Sequence, residues 1–406
     1  MQRVGKGWKM KVAHVFPSLF LVINSVTWFS LTWFVIRDLI QKAAFTEMLL
    51  VGLAFYGAFI LSAVAGATIL KRKLQSKVFL LSWIALGVGV CGFSSFLIGK
   101  FVSFETAIVA FALGVSVGLD IPSCLAHFAD HSLIENRGRF GSIAFFMIQT
   151  LTVLIYIPIK EFSISVSLLI LAAWRLLGLI GALLYKPKEE LIERKRVDSL
   201  PSIFKDRSFV FYFIPWFLFA IVEFVESPLI ERFFGPELYS SYSLVGIIVV
   251  GITAFVGGLL CDFRGRKITS IVGFVILGAG YAVLSLFPGA WLSLVLYVIL
   301  DGIAWGLLYV ALIFVVWGDL SERGTREKYY LLGGMPFLLS GLIGILTKPF
   351  VEVIPIYTSF SLASLFLFLA ILPLLYAPET LPEKKLRERE LKGYVEKAKK
   401  TKEKYT

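Results

Sequence analysis

The stretch GLLCDFRGRK, residues 258–267, breaks one long apolar tract into two. GIIVVGITAFVG (246–257) precedes it and ITSIVGFVILGAG (268–280) follows it. Physically it is a tight turn between two apolar helices. Gly258 allows close helix packing, and Asp262 is placed to cap the next helix or to pair with a base. Gly265 supplies a turn conformation that other residues resist. Arg264, Arg266 and Lys267 are expected to hold the turn on the cytoplasmic side of a bilayer.

The same pattern recurs outward from this turn. Of 406 residues, 58% are hydrophobic and 17% charged, with a mean hydropathy of +0.83. A soluble domain is about half apolar and a quarter charged, so the excess must face lipid. This excludes a cytosolic enzyme, a disordered chain and a single-anchor protein. A bilayer core takes about 20 apolar residues of helix. Twelve spans are expected, at 12–36, 48–70, 78–99, 106–128, 140–159, 162–185, 208–229, 242–261, 268–287, 291–318, 329–350 and 356–376. Alternating ten-residue strands are absent from the sequence, which argues against a β-barrel. The first run, too long for the ~7–15 residue core of a secretory signal, reads as span one.

Charge sets the orientation. With the N-terminus inside, 33 of the 40 Lys and Arg residues fall on inside segments and six on outside loops. The expected fold class is therefore an all-α membrane protein with both termini cytoplasmic, multi-pass in a cell membrane. Its net charge of +12 belongs to orienting loops, so no nucleic-acid partner is expected. Residues 1–185 form a first six-helix half and 208–376 a second. Residues 186–207 are a cytoplasmic linker, and 377–406 a charged tail with i,i+4 pairs such as Glu383–Arg387. Cys91, Cys124 and Cys261 have no zinc or redox spacing. Neither metal nor cofactor is expected, and one chain suffices for this architecture.

The 258–267 turn resembles the loop signature of the major facilitator superfamily through Gly258, Leu260, Asp262, Gly265, Arg266 and Lys267, while Phe263 departs from its usual base. The equivalent first-half stretch, GATILKRK (66–73), lacks the acid and the second glycine. Span four and its loop add Gly114, Gly118, Pro122, Asp130, Arg137, Gly138 and Arg139. Span ten and its loop echo them with Gly302, Gly306, Asp319, Arg323, Gly324 and Arg326, and Pro378-Glu379-Thr380 closes the second half as in that family. The resemblance implies two pseudo-symmetric six-helix bundles around a cavity lined by spans one, four, seven and ten, working by alternating access.

Four of the 28 acids lie inside spans: Asp120, Glu223, Glu226 and Asp301. They fall on spans four, seven, seven and ten, the spans that the resemblance assigns to the cavity. Charges in lipid are costly and mark function when they occur. At ~1.5 Å per residue, Asp301 sits about 15 Å and Asp120 about 12 Å from a span end. Asp120, Glu223 and Asp301 are the proton-coupling candidates, because desolvation disfavours the charged form of a carboxyl. Asn24, Trp28, Trp305, Tyr309 and Glu226 are the candidates for substrate contact. Glu226 has an equal reading as a wetted helix end, and the aromatic rows one as helix packing. Arg175, deep in span six, is expected to make a structural pair or to snorkel.

These candidates include no base, which favours neutral or cationic solutes over anions. The arginine that many proton antiporters of the family carry in span four would align at Ala110, and span five lacks a Gly-Pro element. No Gly-x-x-x-x-Gly-Lys-Ser/Thr loop points to ATP. The expectation is a secondary transporter, not an enzyme, coupling a small organic solute to protons. An exporter without the usual antiporter motifs and a transporter-like sensor or scaffold that binds without translocating are the alternatives.

Overall fold

The structure is a computed structural model that describes residues 2–41, 44–70, 76–98, 104–184, 199–351, 353–382 and 391. Most of the linker and tail, and Lys71–Lys73 of the first-half loop, lie outside the described residues. Among the described residues, twelve helices are long and apolar enough to cross a membrane: α1 Val15–Ile40, α2 Phe45–Leu70, α3 Val78–Leu97, α4 Phe104–His131, α5 Ile134–Ile159, α6 Ile164–Leu184, α7 Arg207–Phe234, α8 Val245–Phe263, α9 Arg266–Leu286, α10 Trp291–Leu320, α11 Arg326–Thr347 and α12 Ile356–Tyr376. Each overlaps one expected span, and the described residues contain no strand. This is a multi-pass membrane protein. Leu61, Phe93, Leu154, Leu177, Ile248 and Leu286 leave large apolar side chains exposed, the surface that lipid would cover.

Glycines set the helix contacts, because apolar surface gives helices in lipid no hydrophobic drive to associate and close backbone approach must supply dispersion contact instead. Gly114 and Gly118 of α4 lie against the Phe55 and Phe59 carbonyls of α2. In the second half, a Cβ on Gly302 would stand 2.8 Å from Val249 Cβ, and one on Gly306 2.8 Å from the Val250 carbonyl of α8. Thr253 of α8 also donates to the Gly302 carbonyl at 3.0 Å. The glycine echo between spans four and ten is thus one packing device used twice.

A third close approach joins the halves. A Cβ on Gly138 (α5) would lie 2.7 Å from the Gly258 carbonyl, and one on Gly258 (α8) 2.6 Å from the Gly138 carbonyl. Gly265 and Gly324 serve differently. Their φ angles are +106° and +95°, the left-handed region where a side chain is strained. The two Arg-Gly loops therefore match in sequence while their glycines act for different reasons, proximity at Gly138 and turn geometry at Gly324.

The Gly306→Ala variant should lower the melting temperature in detergent, losing about 1–3 kcal/mol to overpacking. Gly57→Ala, where a Cβ would meet nothing within 4 Å, should leave it unchanged or raise it. Equal losses at both sites would contradict the packing assignment.

Candidate functional site

The chain turns charge inward in three places. The first is the end of the bundle where the 258–267 turn lies, called here the linker end. Asp262 was expected to cap the following helix or pair with a base. It is the last-turn residue of α8; it does pair with a base, Arg139, and the helix it caps is α5 of the other half rather than α9. Its carboxylate accepts the Gly138 and Arg139 backbone N–H groups, each at 3.0 Å, and Arg139 Nε at 3.0 Å. A carboxylate on a helix N-terminus satisfies orphan donors and the helix dipole together. The N-terminus of α9 is instead capped by Glu379, which accepts the N–H groups of Arg266 (2.9 Å) and Lys267 (3.1 Å).

Arg266 is fully buried, with its Nε 2.8 Å from Asp319 and a second N–H 2.5 Å from the Ile134 carbonyl of the first half. Asp319, at the end of α10, also receives Arg137 from the start of α5 and Thr380 Oγ1 at 3.2 Å. The reciprocal contact runs from Arg326, at the start of α11, to Asp130 near the end of α4 at 2.5 Å, with Arg323 donating to the Asp130 carbonyl at 3.3 Å. Each half thus sends an arginine to an acid at the end of the other half's fourth helix.

The second place is the core of the first half. Arg175 Nη2 lies 2.5 Å from Asp120 Oδ2, and neither side chain is exposed. Arg175 Nη1 donates to Asn24 Oδ1 at 3.1 Å and Ser25 Oγ at 2.8 Å, and the guanidinium stands 4.8 Å over the Trp28 ring. Asn24 Nδ2 donates to the Trp174 carbonyl at 2.8 Å, and Trp174 Nε1 donates to the Asn24 carbonyl at 3.0 Å. Cys124 completes the shell at 3.2 Å from Asp120. Three sequence candidates, Asn24, Trp28 and Asp120, therefore meet around a base that sequence reasoning kept apart from them. Contrary to expectation, the candidates do face a base: α6 packs against α1 and α3, and its buried face carries Arg175 to Asp120 of α4.

The third place is the core of the second half, and it differs in kind. Glu223 lies one helical turn after Phe219 of α7 and Asp301 one turn before Trp305 of α10, and the contact of those two rings at 4.8 Å brings the acids within electrostatic reach of each other. Glu223 Oε2, Asp301 Oδ1 and Glu226 Oε2 are buried without a hydrogen-bond partner. Glu226 is 5% exposed, so the wetted-end reading does not describe it. Among the described residues, no ion pair joins Glu223, Glu226 or Asp301 to a base. Around the pair stands an aromatic wall. Trp305 lies 4.8 Å from Phe219 and 4.7 Å from Tyr309, and Tyr309 lies 5.7 Å from Phe337 and 5.0 Å from Phe145 of the first half. A π-helical segment, Val310–Val315, separates this row from Asp319. Such segments are frequent at functional sites.

The fold has solved relatives. The proton:xylose symporter XylE bound to 6-bromo-6-deoxy-D-glucose superposes with a TM-score of 0.70 at 15% identity, covering 91% of this chain and 97% of that one. The Escherichia coli fucose:proton symporter FucP gives 0.71 at 14%, covering 91% and 99%. FucP in the outward conformation gives 0.69 at 13%, covering 91% and 98%. This chain has the major facilitator fold. No protein-family model and no curated protein sequence matches it. At such identities the likeness lies in the arrangement of helices, and the charged residues must be argued from their own surroundings.

Those surroundings predict opposite responses to neutralisation. Asp120→Asn leaves a buried arginine uncompensated and should cost about 3–5 kcal/mol, read as a lowered melting temperature. Adding Arg175→Met should recover most of that loss. Glu223→Gln and Asp301→Asn remove charges that have no opposite partner and should hold or raise the melting temperature. A destabilising Asp301→Asn beside a neutral Asp120→Asn would contradict these assignments.

Proposed function

We propose that this chain is a secondary active transporter of the major facilitator superfamily. It moves a small organic solute by alternating access, with proton coupling at Glu223 and Asp301. One contrast carries the reading. Asp120, Asp262 and Asp319 are each matched by arginine, while two acids from two different helices meet in the second half without a base. Unmatched carboxyls in a lipid-embedded core are kept for function, because a structural role would be served more cheaply by a neutral residue. The proton symporters that share the fold support this assignment. Asp120 was an equal candidate from sequence, and its pairing with Arg175 moves it to a structural role.

The linker-end contacts supply the other half of the mechanism. Arg137–Asp319, Arg326–Asp130 and the Asp262 cap on α5 hold the halves together at that end. On the reading that the excess of inside-loop bases faces the cytoplasm, the state is one closed on the cytoplasmic side. Protonation of the acid pair removes charge from one half and changes which bundle orientation is favoured. For opening inward, the arginine contacts must part, and solvent in the opened gap would then take over their hydration.

Transport in proteoliposomes tests this. An imposed pH gradient should drive accumulation or release of a labelled solute without ATP. The Glu223→Gln/Asp301→Asn double variant should lose gradient-driven movement by about 100-fold or more, in the range of other losses of a general acid–base group. Gradient-driven transport that survives the double variant would refute the assignment of coupling to this pair. Ligand binding with no flux under any gradient would favour the sensor or scaffold alternative.

A further inference from the structure

The acid pair lies against an aromatic wall, and the combination selects a kind of ligand. Two carboxyls with free lone pairs attract a positive charge. The Trp305 and Tyr309 faces, 4.7 Å apart between centroids, attract the same charge through their quadrupoles. Phe219, Phe337 and Trp216 stand within 6.0 Å of one or more of their neighbours in this wall and offer apolar area to organic substituents. Trp305 and Tyr309 are only half-buried, unlike Trp28 of the first half, which is sealed beneath Arg175. The cationic position over an aromatic ring is therefore filled by the protein's own arginine in the first half and left open in the second.

We propose that the substrate is an organic monocation, bound between the Glu223–Asp301 pair and the Trp305–Tyr309 faces, and that it exchanges for a proton on the same carboxyls. The inference rests on the transport reading above and adds the substrate class and the direction of coupling. One proton leaves as one monovalent cation enters, so the site keeps the same net charge in both forms. Either form can then cross between bundle orientations at the same electrostatic cost, while the empty, deprotonated site cannot. Exchange is therefore one for one and electroneutral.

Glu226 on α7 and the hydroxyls of Tyr281 on α9 and Tyr297 on α10 act on or beside the pair, and none is a base. Asp262, Arg266, Lys267, Arg326, Glu327 and Lys328 sit at the linker ends of α8, α9 and α11. Glu231 and Arg232 of α7 lie about 12 Å or more along the helix axis from Glu223. Asp120 of α4 is paired with Arg175. The side chain of Lys348, just past α11, is outside the described residues.

Calorimetric titration of the purified full-length protein in detergent tests the proposal. The probes are tetraphenylphosphonium, tetraethylammonium and choline, with triphenylphosphine oxide as the neutral control and D-xylose as the polyol control. Running each titration in two buffers of different ionisation enthalpy reads proton release directly. At least one monocation should bind, with release of about one proton and with affinity falling as pH is lowered. Triphenylphosphine oxide should bind at least tenfold more weakly than tetraphenylphosphonium. Glu223→Gln/Asp301→Asn should abolish both binding and release. Trp305→Leu should weaken binding by about tenfold, the size of a desolvated cation–π contact, while proton release per bound cation stays the same. That split separates ligand contact from a merely structural role. Binding without proton release, equal binding of the neutral control, or no binding of any of the three cations would overturn the proposal. D-xylose binding with proton uptake would also overturn it, yet would leave proton-coupled transport standing. Failure of gradient-driven flux for every solute is the separate result that removes the transport reading.

Discussion

The constraint on which this structure depends is the cost of holding charge away from water. A twelve-helix bundle in lipid has few places for an ionised side chain, and each one present must be matched or used. Asp120 and Arg175 show matching in its full form: both are fully buried, and the arginine is further satisfied by Asn24, Ser25 and the face of Trp28. The same rule orders the linker end. There Asp262 is satisfied by a helix N-terminus and Arg139, and Asp319 by Arg137, Arg266 and Thr380. Against that background an unmatched pair is the exception, and Glu223 with Asp301 is where the exception falls.

The two halves share a packing plan and differ in electrostatics. Gly114 and Gly118 do for α2 and α4 what Gly302 and Gly306 do for α8 and α10. The first half then closes its charge internally, while the second leaves two acids beside an aromatic wall. A half with its charge locked is suited to act as a fixed body, and a half with exchangeable charge to sense protons and ligand. The interface carries the same asymmetry. The acid of the 258–267 turn reaches α5 of the first half, whereas the first-half stretch GATILKRK carries no acid to reciprocate. What the first half does offer is Asp130, which receives Arg326. The Arg137–Asp319, Arg139–Asp262 and Arg326–Asp130 contacts are made across the halves, so opening this end must break them together, which favours two discrete states over a graded one.

Much of this was legible in the sequence, for identifiable reasons. Span number and placement follow from runs of about 20 apolar residues, and these runs are long enough to survive uncertainty at their ends. The glycine echo was legible because close packing needs that residue whatever its neighbours. The second-half site was half legible: acids inside spans stand out in composition, and the Asp301, Trp305 and Tyr309 row follows from helical spacing. Side-chain pairing was not legible. Nothing local to Arg175 says that α6 turns it toward Asp120, so a base was kept apart from the very candidates it binds. Nothing in residues 258–267 says that Asp262 serves α5 rather than α9, because its partner lies in the other half of the chain. Arg266 reads as a membrane-face base by position alone, and its burial depends on Asp319 arriving from α10.

The most direct test of the central claim, that exchangeable charge resides in the second half alone, is infrared difference spectroscopy of the reconstituted protein. The pH would be stepped while the carboxylic C=O stretch is recorded. A band from a carboxylic acid in the membrane core should change with pH and vanish in Glu223→Gln/Asp301→Asn. The same band should remain in the Asp120→Asn/Arg175→Met variant. A pH-dependent band that survives loss of Glu223 and Asp301 but disappears with Asp120 would place the exchangeable proton in the first half and contradict the division of roles described here.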